Sequence, residues 1–145
     1  MAARKPKIIV TRKLPDQVET RMRELFDTEL NLGDAPMSRE ALLDAVSRAD
    51  ALVPTITDHI DADLIAAAGE RLKLIANFGM GIDHIDVAAA TERGIAVTNT
   101  PGVLTEDTAD LAMALIMAVS RRIVEGANVV QAGDFTGWTP TWMNG

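Results

Sequence analysis

Residues 72–81 read LKLIANFGMG, a short apolar run that stops at Asn77 and passes into a turn with two glycines. An apolar run of this length, bounded by a turn signal, is typical of a strand buried on both faces of a parallel sheet. In the turn, Gly79 and Gly81 leave backbone N–H groups bare, and these can point at an anion such as a carboxylate. A simpler interpretation is a tight turn that leads into a helix and needs glycine for a positive φ.

The preceding and following residues repeat this plan of short apolar runs separated by segments with helical periodicity. The runs recur at a spacing of roughly 20 residues, which is the pattern of stacked βα units. Strands are predicted at residues 8–10, 29–32, 51–53, 72–77 and 95–97. Most of them read as fully buried, as expected for a parallel sheet covered by helices.

Four helices are predicted between the five strands, because apolar residues fall on one helical face of the intervening segments. Ser38, Asp61 and Asp86 stand where N-cap residues would accept the first free N–H groups of a helix. Gly69 and Gly94 stand where helices should end, since glycine tolerates a left-handed turn. Right-handed crossovers then place helices on both faces, so we expect a flavodoxin-like, doubly wound, five-stranded parallel sheet.

Residues 1–100 are assigned to this domain, and residues 101–145 to a single long helix, over 105–132, with an irregular arm. The helix is opened by Thr105 and has acidic residues in its first turns, which favours its positive end. From residue 111 to residue 119 it is apolar on nearly every side, which indicates burial between two layers. Because one domain offers only one layer, we expect a second element to cover the other face.

Composition limits the classes of partner. The chain has 145 residues, a net charge of −7, a pI near 4.7 and no cysteine. The acidic charge disfavours nucleic acid and anionic lipid as partners, and the run at 111–119 is far shorter than the ~20 residues of a membrane span. The lack of cysteine excludes disulfides and fits a reducing compartment. We therefore expect a cytoplasmic protein with no nucleic-acid or membrane partner.

Three stretches carry a family resemblance. Residues 77–86, NFGMGIDHID, resemble the substrate-loop motif of the D-2-hydroxyacid dehydrogenases, and residues 99–112, NTPGVLTEDTADLA, resemble the hinge-and-helix motif that follows it in that family. Residues 138–142, WTPTW, are similar to the arm of the glyoxylate/hydroxypyruvate reductase branch. The resemblance covers the whole chain. It implies the N-terminal portion of an NAD(P)-dependent oxidoreductase that reduces a small 2-oxo acid by hydride transfer.

The resemblance also implies roles for individual residues. Met80 and Gly81 would donate backbone N–H bonds to the substrate carboxylate, and Gly79 would shape the turn that presents them. Leu104 and Thr108, at the start of the long helix, would line the cofactor crevice near the nicotinamide. For Thr108 a simpler interpretation is a first-turn hydroxyl that forms a hydrogen bond within its own helix.

The arm and the long helix predict self-association. By the resemblance, Trp138 or Trp142 would reach from a dimer arm toward the partner's active site, although a plain interface anchor fits as well. Without a second layer the helix exposes a large apolar patch, so we expect a homodimer, formed with or without exchange of the helix or arm. Alternatively, the helix folds back onto its own sheet.

The family's cofactor fingerprint, G-x-G-x-x-G after a strand, is absent from these 145 residues, as are its downstream catalytic Arg, Glu and His. Hydride transfer needs a nicotinamide held against the substrate and a base within hydrogen-bond reach. We therefore expect no catalytic residue in this chain, no tight binding of NAD(P) by it, and no activity of the chain alone. The alternative is a catalytically inactive flavodoxin-like folding or assembly module.

The remaining polar candidates fit structural roles. His59 and His84 are the only histidines, and each precedes or opens a helix, so both are interpreted as structural. Five aspartates, Asp58, Asp61, Asp63, Asp83 and Asp86, are dispersed over two loops, so we interpret them as solvated helix starts and expect no metal site.

Two other flavodoxin-like classes do not fit the chain. A receiver domain needs clustered acids after its first strand, where this chain has Thr11, Arg12 and Lys13. A flavodoxin binds the FMN phosphate in a Ser/Thr/Gly-rich loop at the same place, and residues 12–16, RKLPD, contain no glycine.

Overall fold

A computed structural model describes residues 4–142 of the chain. The chain divides into two compact units, Met1–Gly102 and Val103–Gly145. The first three residues of the predicted domain and the last three of the predicted arm lie outside the described residues.

The first unit contains a parallel sheet with helices between its strands. The strands are β1 (Lys7–Val10), β2 (Asp27–Glu29), β3 (Ala51–Val53), β4 (Leu74–Ala76) and β5 (Ala96–Thr98). The helices are α1 (Asp16–Leu25), α2 (Arg39–Arg48), α3 (Ala62–Ala66) and α4 (Val87–Glu92). The strand order is β2-β1-β3-β4-β5, and every neighbouring pair is parallel. This is the flavodoxin-like order, so the predicted fold class is confirmed.

The two faces of the sheet are covered unequally. Side chains alternate along each strand, so neighbouring residues serve different cores. Ile9 and Leu52 belong to a core that also takes the buried residues of α2, α3 and α4. Ile8 and Ala51 belong to a smaller core on the other side, against which Met22 of α1 packs. One face therefore carries three helices of this unit and the other carries one.

The less covered face keeps an open groove of about 500 Å³ toward the amino ends of β1, β3 and β4. Its apolar lining includes Ile8, Phe26, Ala51 and Leu74, and its charged rim includes Arg4, Asp50, Arg71 and Lys73. Arg4 and Arg71 both donate to the carboxylate of Asp50, which partly neutralises the rim. Ligands of open parallel sheets bind at the opposite edge, past the carboxyl ends of the strands.

Both edge strands differ from their predictions. The second strand was predicted at residues 29–32, but β2 ends at Glu29 and Leu32 is 73% exposed. Strand β5 was predicted at residues 95–97 and lies at Ala96–Thr98, where two of its three residues are exposed. An edge strand has a neighbour on only one side and is less buried, so hydropathy locates it poorly. The residues of β2 read DTE, so hydropathy placed the strand in the apolar residues that follow them.

The predicted helix starts are confirmed. The side chains of Ser38, Asp61 and Asp86 each accept a hydrogen bond from the backbone N–H three residues later, as N-caps do. Gly94 follows α4 with a φ of 67°, the left-handed conformation expected at a helix end. Gly69 lies beyond the end of α3 without a positive φ, and its N–H donates to the carbonyl of Val46 at 3.0 Å. Its role is close packing against α2.

The second unit contains two helices, so the prediction of one continuous helix was wrong. They are α5 (Thr105–Ser120) and α6 (Ile123–Ala132). Arg122 lies between them with a φ of 51°, a left-handed conformation that ends the hydrogen-bond ladder of α5. Its guanidinium pairs with Glu125 in the first turn of α6. Because arginine is a good helix former, no hydropathy or propensity signal marks this break.

Helix α5 buries no residue, although its sequence indicated burial between two layers. Its large apolar residues are each more than half exposed; they are Leu111, Met113, Leu115, Ile116, Met117 and Val119. An apolar pattern indicates that a helix is suited to burial. It does not show which residues cover the helix, and α5 is exposed within the described chain. No helix in the described part of the chain has the length and hydropathy of a membrane-spanning segment.

Candidate functional site

The candidate site lies at the carboxyl edge of the sheet, in the turn that follows β4. The turn, residues 77–81, is held to both neighbouring strands. The N–H of Asn77 donates to the carbonyl of Thr98 at the end of β5, at 2.8 Å. The N–H of Phe78 donates to the carbonyl of Pro54, just past β3, at 2.9 Å. In open parallel sheets this edge is where ligands bind.

Two asparagine side chains bind the carbonyls of the turn. Nδ2 of Asn77 donates to the carbonyl of Gly79 at 3.1 Å and to that of Gly81 at 2.8 Å. Nδ2 of Asn99, just past β5, donates to the carbonyl of Met80 at 2.7 Å. Three consecutive carbonyls of the turn are therefore satisfied by side chains of this chain.

The N–H groups of the same residues are free. Within residues 4–142, the backbone N–H groups of Gly79, Met80 and Gly81 donate no hydrogen bond. Met80 is 40% exposed and Gly81 is exposed as well. The turn thus keeps its acceptors occupied and its donors available, which is the arrangement that an anion needs.

Neither glycine of the turn is required by backbone conformation. The glycines with positive φ among the described residues do not include Gly79 or Gly81, so the interpretation that the turn needs a positive φ is wrong. A Cβ at position 79 would lie 3.2 Å from Nδ2 of Asn77, which is tight. A Cβ at position 81 would meet only the Asp83 carboxylate, at an ordinary 3.6 Å. Glycine at 79 is explained by Asn77, and nothing within the described chain requires glycine at 81.

The sequence suggested that the turn leads directly into a helix, but in the structure it does not. Helix α4 begins only at Val87, and its first free N–H group is capped by Asp86. The anion-binding capacity of the turn therefore comes from its own bare amides and not from a helix N-terminus.

His84 lies behind the turn. Its Nε2 is 3.0 Å from Oδ1 of Asn77. Because Nδ2 of Asn77 faces the two glycine carbonyls, Oδ1 is the acceptor and Nε2 of His84 carries the proton. Burial lowers the pKa of His84 below its ordinary value of 6.5, and the nearby carboxylates of Asp58 and Asp83 oppose this effect. The neutral imidazole with a proton on Nε2 is the form that fits this geometry.

Three of the aspartates that follow β3 and β4, Asp58, Asp61 and Asp86, have structural roles. Asp61 and Asp86 are the N-caps already described. Asp58 was expected to be solvated, but it is 3% exposed and accepts hydrogen bonds from Oγ1 of Thr11 at 2.5 Å and from the N–H of Thr55 at 2.8 Å. It ties the end of β1 to the loop after β3. A carboxylate so engaged holds two loops together beside the candidate site.

The predicted cofactor residues belong to the second unit. Leu104 precedes α5 and is exposed, and its carbonyl accepts the N–H of Thr108 at 3.0 Å. The hydroxyl of Thr108 forms no hydrogen bond within the part of the chain that the structure describes. The simpler interpretation, a hydroxyl bonded within its own helix, is therefore wrong.

The two tryptophans of the arm differ in their surroundings. Trp138 is 79% exposed. Trp142 packs on Phe135, with ring centroids 5.1 Å apart and a tilt of 54° between the planes. Trp142 thus has a local partner in the arm, whereas the ring of Trp138 is largely open to solvent.

Sequence reasoning found the turn but missed what holds it. Asn77, Asn99 and His84 all lie within the motifs quoted above, yet none was assigned a role at the site. The available signal was position, because Asn77 directly follows β4 and Asn99 directly follows β5, and these strands are neighbours. Polar residues just past adjacent parallel strands meet at one edge.

The parallel sheet and the turn after β4 define an α/β domain of the flavodoxin-like class. Comparison with known proteins gives its family: the chain belongs to the D-isomer specific 2-hydroxyacid dehydrogenases, whose catalytic-domain model matches residues 8–139. It is 45% identical over 142 residues to a glyoxylate reductase of Korarchaeum cryptofilum, covering 97% of this chain and 42% of that protein. The chain therefore spans less than half the length of this relative.

Solved structures agree with this family. A protein of Thermus thermophilus superposes with a TM-score of 0.84 at 45% identity, covering 96% of this chain and 44% of that chain. An NADPH-dependent glyoxylate/hydroxypyruvate reductase of Sinorhizobium meliloti, solved with NADP and malonate, superposes with a TM-score of 0.72 at 30% identity. That match covers 94% of this chain and 41% of the other. The relatives are enzymes that act as oxidoreductases.

Proposed function

We propose that this chain is the substrate-side portion of an NAD(P)-dependent 2-hydroxyacid dehydrogenase of the glyoxylate/hydroxypyruvate reductase type. The whole enzyme would reduce a small 2-oxo acid to the 2-hydroxy acid. In this proposal residues 1–100 form the substrate-binding domain, and residues 101–145 form the interdomain helices α5 and α6 and the arm. Support comes from the family, from the glyoxylate reductases among its relatives and from the free amides of the turn after β4.

The observation that carries the proposal is the difference between the carbonyl groups and the N–H groups of that turn. The carbonyls of Gly79, Met80 and Gly81 are all bound from within the chain, while the N–H groups of Met80 and Gly81 have no partner among residues 4–142. Hydrogen bonds from N–H groups to a carboxylate are shorter and stronger than those between neutral groups. Two adjacent free donors on an exposed loop therefore suit the acid group shared by all 2-oxo acids.

The cofactor would supply the hydride, and this chain would contribute only to the wall of its site. Leu104 offers an exposed apolar side chain, and Thr108 offers a hydroxyl that has no partner in the described part of the chain; both fit the edge of a nicotinamide. The 145 residues contain no G-x-G-x-x-G motif, so we propose that the chain alone binds NAD(P) weakly and does not catalyse. In this view the chain orients the acid while other residues of the enzyme transfer the proton.

We further propose that the chain forms a homodimer in the cytoplasm. Helix α5 exposes six large apolar residues, a patch that soluble monomers rarely carry. Trp138 adds an exposed aromatic ring in the arm, which suits an interface anchor. The contact would be formed by α5 and the arm, with or without their exchange between copies.

The carboxylate site can be tested by titrating the ¹⁵N-labelled chain with glycolate and following its amide resonances by NMR. We expect the resonances of Met80 and Gly81 to move most, with a dissociation constant on the order of millimolar for so small a ligand. Glycolamide, which has the same size but no charge, should cause no comparable shift.

Two variants make this test specific. Gly81→Val places a side chain where only an ordinary contact with Asp83 is made, so the fold is kept while the ligand is obstructed. Gly33→Val is the matched control, because a Cβ there meets nothing within 4 Å. Loss of glycolate binding in the first variant only is the expected result. Equal shifts with glycolamide would refute the proposal and leave an inactive assembly module as the better description.

A further inference from the structure

The side chain of Asn77 is fully used and almost fully buried. It is 3% exposed, its Nδ2 donates to the carbonyls of Gly79 and Gly81, and its Oδ1 faces Nε2 of His84. Few side chains offer two N–H donors and one acceptor at this reach: aspartate lacks the donors, and glutamine is one methylene longer. The position therefore needs an asparagine, and it needs it in one orientation.

Binding the carbonyls fixes the direction of the free amides. In a trans peptide the C=O of one residue and the N–H of the next lie in one plane and point in opposite directions. The described chain contains no cis peptide bond. The carbonyl of Gly79, which accepts from Nδ2 of Asn77 at 3.1 Å and from the N–H of Thr100 at 3.0 Å, thus sets the N–H of Met80. The carbonyl of Met80, bound by Asn99, likewise sets the N–H of Gly81.

The next peptide extends the pattern by one donor. The carbonyl of Gly81 is also bound by Asn77, and this fixes the N–H of Ile82. The N–H of Ile82 has no partner within residues 4–142, and Ile82 is 37% exposed. Three successive free donors are therefore oriented by two asparagine side chains, together with the N–H of Thr100 at the carbonyl of Gly79.

His84 determines which way the amide of Asn77 is turned. A flipped amide would place Oδ1 against two carbonyl oxygens and Nδ2 against the N–H of His84, two repulsive contacts in a buried position. With Nε2–H pointing at Oδ1, only the observed orientation is satisfied. His84 thus acts on the turn through Asn77.

We propose that Asn77, oriented by His84, and Asn99 are positioning residues that aim the amide donors of Met80 and Gly81 at the substrate carboxylate. The inference rests on the proposed function for the identity of the anion. The aim of the amides does not depend on it, because it follows from the hydrogen bonds of the ligand-free turn. The two can therefore be tested separately on the same chain.

The first measurement uses no ligand. Residual dipolar couplings report the direction of each N–H bond, and they are compared between the parent chain and Asn77→Leu. Asn31→Leu is the matched control, because Nδ2 of Asn31 also donates to two loop carbonyls, those of Thr11 and Ala35, each at 2.7 Å. Among the described residues the carbonyl of Gly81 accepts only from Asn77, whereas that of Gly79 also accepts from Thr100. We therefore expect the couplings of Ile82 to change most, and those of Met80 less, in the first variant, and neither to change in the second.

The second measurement is the affinity for glycolate. Asn77→Leu should weaken it by about tenfold or more, the usual effect of misdirecting a hydrogen bond to a charged group. Asn99→Ala, at an exposed position, should weaken it less and should change the coupling of Gly81 in place of those of Ile82 and Met80. Asn31→Leu should leave the affinity within about twofold of the parent value.

His84 gives a rescue test that does not depend on the folding of Asn77→Leu. His84→Phe removes the donor to Oδ1 and should weaken glycolate binding, whereas His84→Gln keeps an N–H donor and should restore most of it. Unchanged couplings in Asn77→Leu and Asn99→Ala would overturn the positioning role. Changed couplings in a chain that never binds glycolate would uphold that role and refute the proposed function.

Discussion

Glu29, at the end of edge strand β2, forms a bidentate ion pair with Arg48. Both of its carboxylate oxygens accept from the guanidinium of Arg48 at 2.6 Å, and Nζ of Lys7 lies 3.4 Å away. The hydrogen bonds from Arg48 lower the pKa of Glu29 from 4.5 to about 2. The pair fastens α2 to the edge of the sheet.

Glu29→Gln should reduce the free energy of unfolding at pH 7 by about 1 kcal/mol, the upper range for a partly exposed pair. Because the pKa of Glu29 in the folded chain lies below its ordinary value of 4.5, the pair stabilises above that pH and loses its effect as the pH falls toward 2. Urea unfolding of parent and variant at several pH values measures the difference between their free energies of unfolding. This difference should shrink steadily below pH 4.5.

Glu24→Gln, at an exposed position of α1 where Glu24 pairs with Arg21, is the control and should show a smaller difference. If the difference in free energy of unfolding between the parent and Glu29→Gln stays constant as the pH falls, the bidentate pair does not stabilise the fold.

At the scale of single residues, the sequence predicts local hydrogen bonds well and distant ones poorly. Ser38, Asp61 and Asp86 were identified as N-caps because a cap and its partner are three residues apart. Asn99 binds a carbonyl 19 residues away, and that contact depends on β4 and β5 being neighbours. The bare amides of the turn could be anticipated from its glycines, but the side chains that aim them could not.

Gly69, in the loop after α3, lies in close contact with the backbone of helix α2. A Cβ on Gly69 would overlap the backbone oxygen of Ser47 near the end of α2, and a backbone atom cannot move aside as a side chain can. The N–H of Gly69 also donates to the carbonyl of Val46. The absence of a side chain is what allows this approach.

Gly69→Ala should therefore lower the free energy of unfolding by about 1–3 kcal/mol, the usual cost of an overpacked contact. Gly33→Ala is the control, because a Cβ there meets nothing within 4 Å and its φ is not positive. We expect the control to be neutral or slightly stabilising, since alanine restricts the unfolded chain. Chemical denaturation measures the change in free energy of unfolding of each variant. Equal changes for Gly69→Ala and Gly33→Ala would contradict the packing argument.

At the scale of elements, periodicity predicted the five strands and the four helices between them, with shifts at the sheet edges. It failed at Arg122, since one left-handed residue changes the path of the backbone without changing the hydropathy pattern. The prediction of a single helix over 105–132 could not have been corrected from the residues alone.

For the whole molecule, the exposed face of α5 predicts self-association. Leu111→Gln combined with Leu115→Gln replaces two exposed apolar residues one turn apart on α5. If α5 forms the dimer contact, this change should raise the dimer dissociation constant by about tenfold or more. Sedimentation equilibrium measures it over a range of concentrations.

Leu32→Gln is the matched control, because Leu32 is an exposed leucine of the first unit, far from α5 in sequence. It should leave the dissociation constant unchanged. A parent chain that stays monomeric at tens of micromolar, the range in which a stable dimer would be populated, would contradict the proposed dimer.

The fold class of the whole first unit could be predicted because its strand and helix periods alternate without ambiguity. The unequal cover of its two sheet faces could not, since Ile8 and Ile9 are equally apolar in sequence and only the packed helices distinguish them. The same limit applied to α5, whose composition predicts a covering layer without saying which part of the molecule provides it.

The groove beside α1 also affects how the folded protein is handled in the laboratory. Dyes such as ANS fluoresce on exposed apolar surface, and this signal is commonly taken as a sign of a molten globule. Here the native unit itself offers an open apolar groove, in which the half-buried side chains of Phe26 and Leu74 are accessible. A bright sample before heating would therefore be a property of the intact fold, and circular dichroism is the sounder way to follow its melting.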